Sequence, residues 1–196
     1  MIASSEHGVT VRGVPMRSRT FVFGDNQQIA TALYSDGSEP RRFLRVQYGC
    51  LFGTTFDSGD CDCAHQVRTS IRLIGEGGGV LIYFRDHEAF GLGIFEKAQI
   101  LAREQVSTEA HRHAMDKLHR NPLRHSVISF VPEILATIET TDLVLLGNNK
   151  EKLSALRRSG IKIGSVKLLP PPTSDITPFA HDELAWKAAY SGKAAE

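Results

Sequence analysis

The sequence contains no long apolar run, no marked excess of one charge and only three cysteines. No apolar stretch approaches the roughly 20 residues that a membrane-spanning helix requires, and residues 1–15 have no apolar segment typical of a secretory signal. The net charge of +1 is also too small to indicate the clustered basic surface of a nucleic-acid-binding protein. These absences predict a cytoplasmic protein that binds neither a membrane nor nucleic acid.

The remaining composition is that of a globular protein. Hydrophobic residues make up 41% and charged residues 23% of the 196 residues, which suffices for one domain with a substantial core. The three prolines at 170–172 indicate the end of the compact part. We therefore expect one main domain over residues 1–172 and a C-terminal tail over residues 173–196, with one short helix at 180–190.

The order of the predicted elements indicates an α+β (mixed α/β) fold. β-rich stretches dominate the first 50 residues, where we expect an antiparallel meander. Strands and helices alternate after the cysteine-rich loop at 49–63. Pro132 indicates that a helix starts or kinks there. The predicted strands lie at 19–23, 28–34, 43–48, 80–84, 143–146 and from 161, and the predicted helices at 64–76, 93–105, 126–138 and 150–159.

The three cysteines form a Cys50-x10-Cys61-x-Cys63 pattern inside a loop rich in glycine and aspartate. Cys61 and Cys63 are too close in sequence to form an unstrained disulfide, so the pattern favours a metal site over a disulfide framework. A catalytic zinc site uses three protein ligands and leaves a fourth position for water, which loses a proton near neutral pH. Two alternatives are open: the cysteines are unrelated buried thiols, or His65 completes a closed structural zinc site.

Residues 45–53 read R-V-Q-Y-G-C-L-F-G, and residues 61–64 read C-D-C-A. This arrangement resembles the GTP cyclohydrolase II family, in which an R-V-H-S-E-C-L-T-G-D segment is followed by C-D-C-G with the same ten-residue gap between cysteines. Further similar segments follow in the family's order, so the resemblance extends over residues 20–170. They are G-G-V-L-I-Y-F-R at 78–85, G-L-G-I-F-E-K at 91–97, L-L-G-N-N-K-E-K at 145–152 and G-I-K-I at 160–163.

The resemblance implies a zinc-dependent hydrolase that opens the imidazole ring of GTP, releases formate from C8 and also releases pyrophosphate. Residues 1–172 are then the catalytic domain, with Cys50, Cys61 and Cys63 as zinc ligands and Mg²⁺ assisting at the triphosphate. The resemblance also implies a homodimer, because family members are commonly dimers. The residues that it places in substrate binding are Arg45, Gln47, Gln66, Arg85, Glu88 and Lys152.

Several positions depart from the family pattern. The family's Q-E-G-R phosphate loop reads D-H-E-A-F at 86–90 and has no arginine. The histidine and glutamate that precede the family's first cysteine are Gln47 and Gly49 here, and its helix tyrosine corresponds to Leu101. The zinc ligands therefore persist in a sequence whose phosphate-binding residues have changed.

The family's D-x-R-D-Y segment, which supplies an arginine and a general base, has no close counterpart. Arg124 is the best candidate for the arginine and Arg120 the second, with Pro122 in place of the first aspartate. His125 or His119 is the candidate proton acceptor, since imidazole titrates near neutral pH. The alternative is that the histidines of this region are solvated loop residues: His111, His113, His119 and His125.

Two further interpretations of the whole chain are open. The altered phosphate loop is compatible with a paralogue that acts on another nucleotide or heterocycle, as in secondary-metabolite pathways that begin from GTP. The missing tyrosine and aspartate are compatible with a non-catalytic binding module that keeps zinc as a structural clip. Both rest on analogy within the family and not on chemistry read from single residues.

Overall fold

The computed structural model shows a mixed α/β fold whose described residues divide into two compact units. We call them the sheet unit, which comprises Met1–Gln47, Gln66–Arg85 and Val127–Pro170, and the loop unit, which comprises Tyr48–His65, Asp86–Ser126 and Pro171–Glu196. The expected division at residue 172 stays a prediction. The structure describes residues 1–24, 28–37, 40–104, 107, 109, 113, 116–118, 120–140, 142–147, 149–172, 176–177, 180–181 and 184.

The described strands form one eight-stranded sheet. Its order is β1-β3-β4-β6-β5-β7-β8, and β2 pairs with β3 outside this path. The strands are β1 (Ile2–Ala3), β2 (His7–Val11), β3 (Val14–Phe23), β4 (Gln28–Ser35), β5 (Phe43–Tyr48), β6 (Gly79–Phe84), β7 (Leu143–Leu146) and β8 (Ile163–Lys167).

The predicted antiparallel meander is correct for β3 and β4 and wrong for β5. β3 and β4 form a hairpin with Met16 opposite Ser35, and β4 then pairs antiparallel with β6. β6 therefore lies between β4 and β5, and β5 pairs parallel with β7. The burial of the two strands explains why β5 lies inside the sheet. Alternate residues of β4 are buried, whereas the last five residues of β5 are all buried. Such continuous burial is typical of a strand inside a sheet that is covered on both faces.

The core of the sheet unit is built by the helix that follows the cysteine loop, α1 (Cys63–Gly77). Ile71 and Ile74 are buried on it, and Val67 packs against the same cluster, so the predicted apolar face is confirmed. Met16 from β3 and Leu81 from β6 complete that contact. Each such side chain, fully buried, stabilises the fold by about 1.5–3 kcal/mol.

The other helices agree with the sequence pattern at their centres and differ at their ends. Pro132 lies in the first turn of its helix, so the start that it predicted is confirmed, and the preceding residues form a 3₁₀ turn, Pro122–Phe130. Asn149 caps another helix by accepting a hydrogen bond from the Lys152 backbone N–H at 2.8 Å. These helices are α2 (Ile94–Glu104), α3 (Val131–Leu135) and α4 (Lys150–Arg158).

Two strands, β1 and β2, were not predicted from the sequence, and β8 begins two residues after the predicted start. The predicted helix of the tail lies largely outside the described residues. Among the residues that the structure does describe, no helix combines the length and the hydropathy that a membrane span requires.

Candidate active-site residues

The three cysteines come together in the loop unit. Their Sγ atoms all lie within 4.8 Å of one another, and those of Cys50 and Cys61 are 3.6 Å apart. Zn–S bonds of about 2.3 Å in tetrahedral geometry place two sulfurs about 3.8 Å apart. The spacing therefore suits one zinc ion and is far longer than a disulfide of about 2.05 Å. Within the described residues, this group of potential ligands does not include His65.

The backbone that follows Cys50 forms an irregular turn. The residue at the centre of this turn, Gly53, has no space for a side chain. Leu51–Thr55 forms a single π-helical turn, in which Thr54 donates to the Cys50 carbonyl from both its N–H (2.8 Å) and its hydroxyl (2.6 Å). A Cβ at Gly53 would lie 2.5 Å from Cys61 Sγ and 3.1 Å from Cys50 Sγ. Glycine at this position therefore allows the backbone to approach the sulfurs.

The close packing of the thiols opposes their ionisation in the metal-free protein. The pKa of Cys50 is raised to about 12: a hydrogen bond with Cys61 lowers it, but a hydrogen bond with Cys63 and burial act in the opposite direction. The pKa of Cys61 is raised to about 12 by its hydrogen bond with Cys50 and by burial, against a lowering by Cys63. A coordinated thiol is deprotonated by the cation, so the binding of a metal at this trio would release protons.

Glu88, which the sequence places in substrate binding, contacts the cysteine turn. Its side chain is 7% exposed, and Oε2 accepts a hydrogen bond from the Leu51 N–H at 2.7 Å. The turn that holds it, Glu88–Gly91, has positive φ at Ala89 (48°) and Phe90 (56°). Non-glycine residues rarely adopt this conformation, so the loop is strained. One carboxylate oxygen of Glu88 thus supports the residue that follows Cys50.

A polar cluster lies in the sheet unit around Arg45. Gln47 Oε1 accepts from Arg45 Nε at 3.1 Å and from Nη2 at 2.5 Å, and Gln66 Oε1 also accepts from Nη2. Arg45 Nη1 donates to the Leu146 carbonyl at 3.0 Å. Arg45 and Gln47 are 6% and 4% exposed. These acceptors are two side-chain amide oxygens and one backbone carbonyl, so three of the predicted substrate residues share one network.

The two other predicted cations of the sheet unit differ in burial. Lys152, in the first turn of α4, is half-buried, and its Nζ donates to the Val46 carbonyl at 2.9 Å. Arg85 follows β6 and is exposed, with its backbone N–H donating to the Ile29 carbonyl at 3.1 Å. Lys152 is therefore fixed beside β5, whereas the structure shows no comparable burial of the Arg85 side chain.

A second cluster of the loop unit contains the predicted catalytic pair. Tyr48 Oη lies 2.8 Å from His125 Nδ1, and His87 Nε2 lies 3.0 Å from the Arg124 carbonyl oxygen. The His87 ring meets the Tyr48 ring edge-on at 4.6 Å. Arg124 is 4% exposed, with its guanidinium carbon 5.0 Å from the centroid of the Phe90 ring. Arg124 and His125 are thus parts of one packed aromatic and cationic cluster.

The other candidates of this segment lie on the surface or outside the described residues. The Arg120 side chain is 82% exposed and lies 3.6 Å from Asp116, so Arg124 is the buried arginine of the two. His113 is exposed. His111 and His119 lie outside the described residues.

Comparison with known families shows to which protein family the chain belongs. Residues 5–167, more than four fifths of the sequence, match the GTP cyclohydrolase II family profile. The chain belongs to the GTP cyclohydrolase II family. The family's members are hydrolases that act on the imidazole ring of GTP.

The GTP cyclohydrolase II relatives share about 30% of their residues with the chain. The GTP cyclohydrolase-2 of Streptomyces coelicolor is 28% identical over 79% of this chain and 69% of its own length. That of Psychromonas ingrahamii is 30% identical over 63% of this chain and 60% of its own length. The riboflavin biosynthesis protein RibBA of Aquifex aeolicus is 30% identical over 76% of this chain and 37% of its own length. The match thus spans only part of each relative.

The sequence predicted no role in these clusters for Tyr48 or His87, whereas Gly53 was expected only to let the cysteine loop curl back on itself. Gly53 stands in the matched cysteine segment, and the glycine content of that loop was its only signal. Tyr48 and His87 stand at positions where the chain departs from the GTP cyclohydrolase II pattern, which marked them only as unusual. Tyr48 is 77 residues from its partner His125 in sequence, so no local pattern connects them.

Proposed function

We propose that the chain is a zinc-dependent hydrolase that opens the imidazole ring of a purine nucleotide, GTP by default, with release of formate and pyrophosphate. The observation that carries the proposal is the spacing of the three cysteine sulfurs, which suits one tetrahedral zinc ion. Family membership supports the ring-opening reaction. A cytoplasmic homodimer is part of the proposal, and light scattering on the purified protein tests the dimer.

The cysteines would hold zinc as thiolates: Cys50, Cys61 and Cys63. Held by these three ligands, zinc would supply a nucleophile at neutral pH by lowering the pKa of water. Gly53 and Thr54 hold the turn that carries Cys50. Glu88 holds the next residue, Leu51, by its backbone N–H. These contacts fix the ligand positions before the metal binds.

The cations of the chain are proposed to bind and orient the anionic substrate. A guanidinium presents paired N–H donors that match phosphate oxygens, and an ammonium supplies a point charge. In the sheet unit these groups are Arg45 and Lys152, with Gln47 and Gln66 as polar partners of Arg45. In the loop unit the buried cation is Arg124, and His125 is the proposed proton acceptor.

Mg²⁺ is proposed to enter with the nucleotide. Within the described residues, the group of side chains suited to a metal consists of the three cysteines. Thiolates are poor ligands for Mg²⁺, which prefers oxygen and keeps several waters. Phosphate oxygens of the substrate would therefore supply most of its ligands.

The test is metal analysis followed by a nucleotide panel. Protein purified under reducing conditions is expected to contain about one zinc per chain, and chelation is expected to abolish formate release. GTP, GMP, guanosine and guanine are then compared for formate, with pyrophosphate measured for GTP. Protein that contains zinc but forms no formate from any purine would contradict the proposal.

A second candidate, a paralogue acting on a different nucleotide or heterocycle, is favoured by one observation. The loop at 86–90 has no arginine or lysine, and its Glu88 is buried against the cysteine turn. This loop therefore lacks the arginine that the family's phosphate loop offers to a triphosphate. Faster turnover of GMP or guanosine than of GTP would select this candidate, and pyrophosphate release with preference for GTP would reject it.

The closed-site alternative is tested by one substitution. His65→Ala is expected to leave the zinc content unchanged, because His65 is outside the ligand group among the described residues. Loss of zinc from this variant would make His65 a fourth ligand and would favour a structural metal clip.

A further inference from the structure

The residues around His125 hold both its ring and its backbone in place. Tyr48 Oη is 2.8 Å from the His125 Nδ1, and His87 Nε2 is 3.0 Å from the carbonyl of the preceding residue, Arg124. Tyr48 is 6% and His87 3% exposed. Their rings contact each other edge-on. Tyr48 thus contacts the imidazole of His125, and His87 contacts the peptide group between Arg124 and His125.

The hydrogen bond of His87 has a defined direction. A carbonyl oxygen only accepts, so His87 Nε2 must carry a proton and donate to the Arg124 carbonyl. Gly91 allows the ring to lie there, since a Cβ at this position would approach His87 Cε1 to 3.0 Å, and Gly91 has φ of 92°. The backbone beside His125 is therefore held by a directed bond from a buried ring.

The segment before His125 is also tied to the strained turn. Asn121 Nδ2 donates to the Phe90 carbonyl at 2.8 Å, and Asn121 Oδ1 accepts from the Leu123 N–H at 3.1 Å. The Arg124 guanidinium lies over the Phe90 ring. These contacts hold the backbone beside His125, whose ring contacts Tyr48, and a defined orientation is what proton transfer requires.

We infer that Tyr48 is a positioning residue: its hydroxyl oxygen accepts the Nδ1–H of His125, so that Nε2 is the nitrogen that accepts a proton during ring opening. This inference rests on the proposed function, in which His125 is the proton acceptor. The geometry that carries it is the 2.8 Å contact together with the fixed backbone of His125. A tyrosine hydroxyl can donate or accept, and of the two directions, donation by Nδ1–H is the one that leaves Nε2 unprotonated and able to act as the proton acceptor.

The proton balance follows from this tautomer. The attacking water gives one proton to Nε2 as its oxygen bonds to carbon, and Nδ1 keeps the proton that it shares with Tyr48. The ring then carries one positive charge, which the Tyr48 oxygen stabilises as acceptor. The same Nε2 proton passes to the leaving nitrogen when the C–N bond breaks. Tyr48 itself gains and loses no proton.

Nitrogen-15 NMR of the imidazole rings tests the tautomer without any activity measurement. The wild-type protein is expected to show His125 with its proton on Nδ1. Tyr48→Phe removes only the hydroxyl, and the ring is expected to shift towards the Nε2–H form that dominates for free imidazole side chains in water. A wild-type His125 protonated on Nε2, or a tautomer unchanged in Tyr48→Phe, overturns the inference.

Steady-state kinetics with the nucleotide that the wild type turns over tests the consequence. Tyr48→Phe is expected to lower kcat about 10- to 100-fold and to change KM by less than about twofold, because general base catalysis contributes about 10²–10⁴-fold. In a His125→Ala background the same change is expected to have almost no further effect. Additive losses in the double variant overturn the inference.

Tyr34→Phe is the matched control, since Tyr34 is also buried and its hydroxyl also bonds to a side chain, that of Glu6. It is expected to leave kcat and the His125 tautomer unchanged. His87→Ala is a second variant, which removes the bond to the Arg124 carbonyl and is expected to lower kcat in the same way. If the wild type opens no purine ring at all, the proposed function fails, whereas the NMR result still decides whether Tyr48 fixes His125.

Discussion

The polar cluster of the sheet unit and the cysteine cluster of the loop unit are held together in different ways. Arg45 and Gln47 project from one regular strand, and their partners come from the adjoining β7 and from α1. The cysteine turn instead depends on a glycine without space for a Cβ and on the Glu88 carboxylate bonded to a backbone N–H.

The difference indicates where single substitutions should act. Strand register places several side chains of the sheet unit at once, so the loss of one of them changes contacts and stability together. In the loop unit each contact fixes one backbone group, so its loss is expected to impair metal binding before it unfolds the protein.

Replacing a proposed zinc ligand should give the largest loss. Cys61→Ser is expected to reduce bound zinc from about one per chain to nearly none and to lower formate release by more than about 1,000-fold, because the water that zinc would activate is lost. Zinc content is measured by elemental analysis and activity by formate assay. Ser70→Ala is the control: Ser70 is fully buried, and its hydroxyl has no hydrogen-bond partner among the described residues. Retained zinc in Cys61→Ser would remove Cys61 from the ligand set.

Adding one carbon beside the sulfurs should disturb the same centre indirectly. In Gly53→Ala the new Cβ would lie 2.5 Å from Cys61 Sγ, so the sulfurs must move. We expect zinc affinity to fall about 10- to 100-fold, as for other residues that support a metal site, with competition against a chelator as the measurement. Gly8→Ala is the matched control, since its Cβ would meet nothing closer than 4.0 Å. Equal affinities for the two variants would contradict the close approach.

In the sheet unit the sharpest test is Arg45→Lys, which keeps the charge and removes the forked donors. The change leaves acceptors of Gln47 and Leu146 without their donor, so we expect a loss of about 1–3 kcal/mol in the free energy of unfolding. KM for the nucleotide should rise about tenfold, with zinc content unchanged. Urea titration and kinetics measure both effects. Arg72→Lys, at an exposed position paired with Glu76, is the control.

Glu88 offers a paired test of whether its charge or its acceptor atom matters. Glu88→Gln keeps an oxygen that can accept the Leu51 N–H, whereas Glu88→Ala removes it. The alanine variant is expected to lose about 1–2 kcal/mol of unfolding free energy and part of its zinc affinity, because a buried donor stays unpaired. The glutamine variant should lose much less. An equal rise of the KM for the nucleotide in Glu88→Gln and Glu88→Ala would instead indicate that the carboxylate binds the substrate directly.

Sequence patterns predicted the regular parts of the molecule better than the irregular ones. The apolar spacing of Val67, Ile71 and Ile74 predicted α1, and β5 was predicted at its observed bounds, because these periodicities are local. The insertion of β6 beside β5 was missed because strand order is a long-range property. In the candidate site, the cysteine spacing predicted the trio. The contact between Tyr48 and His125 could not be predicted, since it depends on backbone conformations that only the folded chain fixes.

The smallest expected effect is the pH dependence of a contact that belongs to neither cluster. Tyr34 is buried, and burial together with its hydrogen bond to Glu6 raises its pKa to about 12, whereas the unfolded chain titrates near about 10. Because the folded pKa is the higher one, this residue stabilises the fold below about pH 10 and loses that contribution as the pH rises towards about 12. The hydrogen bond from Tyr34, followed by that from Arg17, lowers the pKa of Glu6, so the Glu6 contribution is instead lost at acid pH.

Urea midpoints measured from pH 8 to pH 12 should therefore fall more steeply for the wild type than for Tyr34→Phe. Parallel curves would show that the phenol ionises as easily in the folded protein as in the unfolded chain.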